Sequence, residues 1–190
     1  VRWGKGRGAG QGLRVLTGAQ RTAVEAIEEG FGTHSATLVQ GVTGSGKTEI
    51  YMHLIARQLE RGATVLYLMP EIGMTSQLVK RVQKVFGDRV TVYHSMLPDR
   101  RRAEVYRRLG ASSGGELILG VRSSVFLPLN NLGLIIVDEE HDASYKQSDN
   151  PPHYFARDCA VWMARQAGAH CLLASATPSI ESYVNAAVGK

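Results

Sequence analysis

Hydrophobic and polar positions alternate in a regular order along the chain from residue 13 onward. Amphipathic stretches predict helices at 19–29, 47–60, 75–86, 99–109 and 157–166, and a last helix that begins at Pro178 behind a Thr177 cap. Short apolar runs rich in β-branched residues predict buried strands at 37–40, 64–69, 90–93, 116–120, 134–138 and 171–174.

This order of elements predicts an α/β fold. Repeats of strand, helix and strand at this spacing form right-handed crossovers, which place their strands parallel in one sheet. We therefore expect a mostly parallel central sheet between layers of helices, formed as one domain by residues 13–190. Residues 1–12 carry a glycine at every second position from Gly4 to Gly12, a composition typical of a linker or a disordered arm.

Composition narrows the function classes. No apolar run is long enough to cross a bilayer and the first residues show no signal-peptide pattern, which predicts a cytosolic protein. Cys159 and Cys171 form neither a disulfide framework nor a zinc motif and are expected to be core thiols. The formal net charge is +5 and the basic excess lies between Gln77 and Arg108, which is compatible with nucleic-acid binding.

A phosphate-binding motif follows the first predicted strand. The residues GVTGSGKT, 41–48, match G-x-x-x-x-G-K-[ST] in full and open the next helix. Such a loop turns backbone N–H groups and a helix N-terminus toward phosphate oxygens, whereas the alternative is an ordinary glycine-rich turn. We expect Lys47 to reach the β- and γ-phosphates of ATP and Thr48 to place its hydroxyl on Mg²⁺. The other loop residues expected around the nucleotide are Gly41, Thr43, Gly44, Ser45 and Gly46.

Three acids and a histidine directly follow another predicted strand. Residues 134–141 read LIIVDEEH, and we call residues 138–141 the DEEH box. Adjacent carboxylates repel one another unless a cation or hydrogen-bond donors compensate, and this edge of an α/β sheet is where ligands bind. The box therefore predicts a metal site. Asp138 is expected to hold the Mg²⁺ of the nucleotide and Glu139 to orient or deprotonate the attacking water, while Glu140 receives no role.

With these motifs in place, the sequence resembles the DExH-box (DEAH-type) helicases of superfamily 2. More narrowly, it resembles the first motor lobe of the replication-restart, or primosomal, DNA helicases. The stretches that carry the resemblance run in the family's order over residues 16–182: LTGAQRTA, GVTGSGKTEIY, PEIGMTSQ, HS, GVRSSVFLP, DEEHDASYKQ, FARDCA and SATPSIES. The resemblance implies a three-layer RecA-like P-loop NTPase fold and an ATPase that uses ATP and Mg²⁺ to translocate on DNA and unwind it.

The resemblance also implies roles for single residues. Gln20 matches the glutamine that recognises adenine, and His141 matches the box histidine that contacts the γ-phosphate side and the coupling motif. Ser175 and Thr177 match the motif that links the nucleotide site to DNA, with helix capping as the alternative.

Two groups of residues match the family's DNA contacts. Thr75, Gln77, Arg122 and Ser123 would contact the DNA backbone, and a surface salt bridge is the alternative for Arg122. Residues 144–157 resemble an aromatic-rich loop that senses single-stranded DNA, in which Tyr145, Lys146 and Arg157 would stack on bases or hold the backbone. Packing of these rings against the domain is the alternative, and the arginine-rich helix 99–109 is expected to be a solvated face.

The family context implies partners and a limit on activity. The implied partners are forked or single-stranded DNA, a second RecA-like lobe, a zinc-binding insertion and N-terminal DNA-binding domains of the same protein, the primosome and single-strand-binding proteins, in the bacterial cytoplasm on the nucleoid. Such motors hydrolyse ATP between two lobes, the second of which supplies an arginine. We therefore expect the 190-residue chain alone to bind ATP–Mg²⁺ weakly, to hydrolyse it slowly and to unwind no DNA.

Three other functions are compatible with parts of the pattern. They are another superfamily 2 DNA translocase of the branch-migration or restriction type, a P-loop kinase that acts on a small molecule, and a nucleic-acid-binding module without catalysis. The kinase would need an arginine-bearing lid and an acceptor pocket, and the intact Lys47, Asp138 and Glu139 argue against the non-catalytic module.

Overall fold

The computed structural model describes residues 12–42 and 44–189. The arm predicted for residues 1–12 therefore lies outside the described residues except for Gly12. Thr43 of the phosphate-binding loop also lies outside them.

A parallel sheet of six strands forms the centre of the fold. The strands of the chain are β1 (Ala36–Gln40), β2 (Thr64–Leu68), β3 (Val90–Tyr93), β4 (Leu117–Gly120), β5 (Leu132–Asp138), β6 (Lys146–Gln147), β7 (Tyr154–Phe155) and β8 (His170–Ser175). The order across the central sheet is β1, β8, β5, β2, β4, β3, and all of its ladders are parallel. Because β8 lies between β1 and β5, the carboxyl ends of these three strands are neighbours on one edge.

Helices cover both faces of the sheet. They are α1 (Gly18–Gly30), α2 (Lys47–Glu60), α3 (Ser76–Phe86), α4 (Asp99–Ala111), α5 (Ala156–Ala167) and α6 (Ile180–Ala187). Helices α1, α2 and α3 pack on one face, which includes Tyr67 and Ile136, and α4 and α5 pack on the opposite face, which includes Leu66 and Ile135. Successive strand residues point to opposite faces, so β2 and β5 are buried on both sides. This arrangement confirms the predicted three-layer α/β fold. Within the described residues no helix combines the length and apolarity needed to cross a bilayer.

Two local predictions are corrected. The last helix begins at Ile180 and not at Pro178, because the Ser179 hydroxyl is the group that accepts the N–H of Ser182 and caps the helix. Thr177 instead donates its N–H to the hydroxyl oxygen of Ser175, at 2.9 Å. The stretch predicted as a loop at 144–157 contains the antiparallel pair β6 and β7, which is too short to show an alternating pattern.

Candidate nucleotide-binding site

The carboxyl ends of the central strands form the edge at which the predicted site residues meet. Strand β1 leads into the phosphate-binding loop, β5 ends at Asp138, and β8 ends at Ser175 between them. The Gly41 N–H donates to the carbonyl oxygen of Ser175 at 3.0 Å, which joins the loop to the end of β8. Ligands of parallel α/β sheets bind at this edge.

Glycines give the phosphate-binding loop its backbone path. Gly44 and Gly46 have φ angles of 78° and 83°, in the left-handed region that favours glycine. A Cβ at residue 46 would also collide with the side-chain amide of Gln20. Helix α2 begins directly afterwards at Lys47, so the first N–H groups of the helix, which have no partner within it, lie beside the loop. This arrangement favours an anion.

Lys47 connects the phosphate-binding loop with the DEEH box. Its side chain is largely buried, with a residue exposure of 9%. The Nζ group donates to the Gly41 carbonyl at 2.6 Å and lies 3.9 Å from Oε1 of Glu139. The structure thus brings Lys47 and Glu139 together across the sheet edge. Thr48, the next residue, lies half-buried in the first turn of α2.

The three acids of the DEEH box point in different directions. Asp138 accepts hydrogen bonds from two tyrosine hydroxyls, Glu139 lies near Lys47, and Glu140 is completely buried. Glu139 has a φ of 48°, a conformation uncommon outside glycine that turns successive side chains apart. The metal-binding role of Asp138 stays a prediction, whereas Glu140 is held away from the site in the core. Among residues 12–42 and 44–189, no group of three or more His, Cys, Asp and Glu side chains is arranged to hold a metal.

Asp138 has the environment of an oriented carboxylate. The hydroxyls of Tyr51 and Tyr67 donate to its Oδ1 and Oδ2 at 3.0 and 3.2 Å. Burial raises the pKa of Asp138, and these two hydrogen bonds and the charge of Lys47 oppose that rise. Burial, together with the nearby Asp138, also raises the pKa of both tyrosines, so the phenols stay protonated and donate. Mg²⁺ bound to nucleotides uses one or two carboxylates beside phosphates and waters, and Asp138 with the Thr48 hydroxyl fits that set.

Glu140, to which no role was assigned from the sequence, forms a buried network. Its carboxylate accepts hydrogen bonds from the Ser179 N–H at 2.6 Å, the Ser182 hydroxyl at 2.8 Å and the Arg157 guanidinium at 3.3 Å. The network ties the end of the DEEH box to α5 and to the first turn of α6. An acid inside the DEEH box and two serines inside SATPSIES could have indicated this network, but only if the order of the strands had been known.

His141 connects the DEEH box with the end of β8. Its Nδ1 atom lies 2.7 Å from the Ser175 hydroxyl oxygen and 3.7 Å from Oε2 of Glu139. The same hydroxyl oxygen accepts the Thr177 N–H. The structure therefore brings together the residue predicted on the phosphate side and the two residues predicted to couple the site to DNA.

Gln20 lies beside the phosphate-binding loop with both ends of its amide occupied. Its Oε1 atom accepts the Thr17 N–H at 2.9 Å, and its Nε2 atom donates to the Gly46 carbonyl at 3.3 Å. The Thr17 hydroxyl accepts the Gln20 N–H, which completes a capping box at the start of α1. Adenine recognition by Gln20 stays a prediction, and it requires the amide to exchange one of these partners for the base.

Four predicted DNA contacts lie on or near the surface at the carboxyl ends of β2 and β4. Thr75 and Gln77 are exposed, and the Thr75 hydroxyl caps α3 by accepting the N–H of Leu78. Ser123 and Arg122 are half-buried, and Arg122 donates to the carbonyl oxygens of residues 144 and 146 at 3.3 Å each. Their contacts with DNA stay predictions.

Tyr145 and Arg157 correct part of the predicted DNA loop. Tyr145 is 0% exposed, and its hydroxyl donates to the main-chain oxygen of Asp138 at 2.6 Å. The guanidinium of Arg157 lies inside the Glu140 network and over the Phe155 ring, 4.2 Å from its centroid. Neither side chain is therefore free to contact a base in this structure.

One predicted residue of the same region is accessible, and its contact with DNA stays a prediction. Lys146 is exposed. The ring of Tyr154 packs edge-on against Phe126, with the centroids 4.8 Å apart, and Phe126 is largely exposed. Phe126 was not among the predicted site residues, because an aromatic side chain in a surface turn gives no signal by itself.

A known protein family matches most of the chain. The family model described as DEAD/DEAH box helicase matches residues 17–186. This range contains the phosphate-binding loop, the DEEH box and every residue predicted for the site.

Curated relatives of several bacteria share one name, "Replication restart protein PriA". The protein of Chlamydia pneumoniae is 48% identical over 161 residues, which are 84% of this chain and 21% of the relative. That of Helicobacter pylori is 44% identical over 171 residues, 90% of this chain and 27% of the relative. That of Bacillus subtilis (strain 168) is 42% identical over 176 residues, 92% of this chain and 22% of the relative. The chain thus spans between 21% and 27% of the length of these relatives.

Solved structures share the fold at lower identity. The structure of RecG bound to a three-way DNA junction has a TM-score of 0.63 at 22% identity and covers 93% of this chain and 23% of that one. The helicase MrfA bound to DNA and AMPPNP has a TM-score of 0.61 at 19% identity and covers 95% of this chain and 27% of that one. These likenesses confirm the RecA-like fold that the sequence predicted.

Proposed function

The chain belongs to the DEAD/DEAH box helicase family, and we propose that it is the ATP-binding motor lobe of a replication-restart DNA helicase. In that role the lobe takes part in coupling ATP hydrolysis to translocation on DNA and to unwinding. The identity to the PriA relatives over most of this chain supports this role. Their greater length supports further domains in the whole protein, and the family resemblance implies that these are a second RecA-like lobe, a zinc-binding insertion and N-terminal DNA-binding domains.

One observation carries the proposal. The ammonium of Lys47 lies 3.9 Å from the carboxylate of Glu139, next to an Asp138 carboxylate that is oriented by two phenols. A phosphate-binding loop and an acidic box on separate edges of the sheet would not fit an ATPase. Their proximity at the carboxyl ends of β1 and β5 does fit one.

The side chains of the site would have separate roles in ATP hydrolysis. Lys47 and the first N–H groups of α2 would bind the β- and γ-phosphates. Thr48 and Asp138 would hold Mg²⁺, which neutralises phosphate charge when it is bound. The Glu139 carboxylate, between Lys47 and His141, would orient the attacking water and accept its proton.

The contact of His141 with Glu139 at 3.7 Å, together with the hydrogen bond between His141 and Ser175, supports a route for coupling. Ser175 also accepts the N–H of Thr177, in the segment that leads to α6. A change at the phosphate side of Glu139 would therefore be transmitted to the segment after β8. The same segment is held by Glu140, so the DEEH box and α6 would move as one unit.

DNA is the proposed macromolecular substrate. The start of α3 offers N–H groups and the exposed Thr75 and Gln77, and Arg122 adds a cation, all of which suit phosphate oxygens without reading bases. Forked or single-stranded DNA, the primosome, single-strand-binding proteins and a bacterial cytoplasmic location on the nucleoid complete the proposal. The helicase family match does not favour the small-molecule kinase. Weak hydrolysis by the chain alone stays a prediction.

Substituting Glu139→Gln in the full-length helicase tests the proposed role. The amide keeps the size of the side chain but cannot accept the proton of water, so we expect kcat for ATP to fall about 1000-fold, within the range for a lost general base. ATP affinity should stay within about threefold, because Lys47 and the loop are intact. DNA-stimulated ATP hydrolysis and unwinding of a forked duplex measure the first effect, and titration with a fluorescent ATP analogue measures the second.

Glu60→Gln is the matched control, since Glu60 is an exposed acid at the far end of α2. This variant should unwind DNA at the wild-type rate. Unwinding by the Glu139→Gln variant at a rate near that of the control would show that the base lies elsewhere and would contradict the proposal.

A further inference from the structure

Three tyrosines from different parts of the fold converge on Asp138. Tyr51 comes from α2, Tyr67 from β2 and Tyr145 from the turn after the DEEH box, and all three are 0% exposed. Tyr51 and Tyr67 each donate to a different oxygen of the Asp138 carboxylate. The Tyr145 hydroxyl donates to the main-chain oxygen of the same residue.

We propose that Tyr51 and Tyr67 are positioning residues that hold the Asp138 carboxylate in one orientation for a divalent cation bound with ATP. The inference rests on the proposed function, in which Asp138 and Thr48 hold Mg²⁺. It assigns a role to two residues that lie outside the sequence motifs for phosphate and metal binding.

The two hydrogen bonds restrict rotation of the Asp138 carboxylate about its Cβ–Cγ bond. A carboxylate with one donor can still turn about its Cβ–Cγ bond, whereas one with a donor on each oxygen cannot turn without losing a bond. The Glu139 N–H adds a third donor, at 3.1 Å from Oδ1. The rings of Tyr51 and Tyr67 contact each other edge to face with centroids 5.6 Å apart, so neither ring moves independently of the other.

Tyr51 also fixes the distance between the two parts of the site. It follows Lys47 by four residues and Thr48 by three on α2, and residues at these spacings lie on the same side of a helix. The tyrosine side chain is a rigid spacer, because it has few rotatable bonds. Its hydrogen bond therefore connects the helix that carries the phosphate-binding residues to the carboxylate at the end of β5.

The buried rings alone do not account for this arrangement. Phenylalanine would fill the same volume and would need no polar partner, whereas a buried hydroxyl needs one. Here both hydroxyls meet the one carboxylate expected to hold the cation. Removing only the hydroxyls separates positioning from packing.

The test uses the full-length helicase with Tyr51→Phe, Tyr67→Phe and the double substitution. Mn²⁺ replaces Mg²⁺ as a spectroscopic probe, and its dissociation constant is measured by electron paramagnetic resonance in the presence of a saturating non-hydrolysable ATP analogue. We expect each single variant to weaken Mn²⁺ binding about fivefold and the double variant more than about tenfold, the scale of the net loss of one or two typical hydrogen bonds. Affinity for the ATP analogue at saturating Mn²⁺ should stay within about twofold.

Tyr106→Phe is the control, because Tyr106 is an exposed tyrosine on α4. Thermal unfolding identifies a temperature at which all variants are fully folded, and Mn²⁺ binding is compared there. The magnesium concentration for half-maximal ATP hydrolysis should rise in parallel with the Mn²⁺ constant, with kcat recovering at high magnesium.

Two outcomes distinguish this inference from the proposed function. An active wild-type enzyme whose double variant binds Mn²⁺ as tightly as the control overturns the positioning role and leaves the proposed function intact. A wild-type protein that neither binds Mn²⁺ with the ATP analogue nor hydrolyses ATP overturns both.

Discussion

Substituting Lys47→Ala is expected to weaken ATP binding by about 100-fold, or about 2.7 kcal/mol, because a charge-assisted hydrogen bond from the ammonium to a phosphate is worth about 1.5–3 kcal/mol. The Lys47 side chain is nearly buried between the Gly41 carbonyl of the loop and Glu139. Titration of the purified protein with a fluorescent ATP analogue at fixed Mg²⁺ measures the loss.

Lys80→Ala is the control for this experiment. Lys80 is an exposed lysine on α3, and its removal lowers the net charge by the same amount. The control should bind ATP within about twofold of wild type, since an exposed charge away from the site is screened by salt. Equal ATP affinity in the Lys47 and Lys80 variants would contradict the assignment of the phosphate site.

Substituting Glu140→Ala is expected to lower the free energy of unfolding by about 3–5 kcal/mol. The substitution leaves the guanidinium of Arg157 without its buried partner, which is the costly way to break a buried ion pair. It also removes the acceptor of the Ser179 N–H and the Ser182 hydroxyl at the start of α6. Denaturant unfolding of the chain followed by circular dichroism, with an unchanged denaturant slope, measures the change.

Glu181→Ala is the matched control, because Glu181 pairs with the same arginine. The Arg157 guanidinium lies 2.8 Å from the Glu181 carboxylate, whose side chain is 75% exposed. An exposed ion pair contributes at most about 1 kcal/mol, so the control should be close to wild type. A similar decrease in the free energy of unfolding for the two variants would show that burial of the network does not determine its contribution to stability.

Local patterns predicted most of the secondary structure. Helix α2 has the predicted limits because the phosphate-binding motif defines its start and its apolar positions continue regularly to Glu60. Strand β5 ends at Asp138 as predicted, because an apolar run gives way there to charged residues. Both features depend on patterns of contiguous residues, and such local patterns can be recognised in a single sequence.

Contacts between distant residues could not be predicted in this way. Glu140 was assigned no role, yet it accepts hydrogen bonds from Arg157 and from the start of α6. Tyr145 was expected to face DNA, but its ring fills the core beneath Asp138. Each outcome depends on which strands are neighbours, and that order follows from packing of the whole sheet.

The same limit explains the roles of Tyr67 and Arg157. Tyr67 reaches Asp138 only because β2 pairs with β5. Arg157 reaches Glu140 because α5 packs beside β5 and α6. In the sequence both residues resemble ordinary members of a strand and a helix. The phosphate-binding residues were predictable because their geometry lies within one loop.

The most direct test of the account is nuclear magnetic resonance of the labelled chain with ATP and Mn²⁺. The paramagnetic ion broadens the amide signals of nearby residues, and we expect Thr48 and Glu139 to lie around the same cation. We predict that Mn²⁺–ATP erases the amide signals of both residues, that excess Mg²⁺ restores both, and that Lys47→Ala prevents both effects. Broadening of only one of the two signals, or of neither at saturating nucleotide, would contradict the shared site.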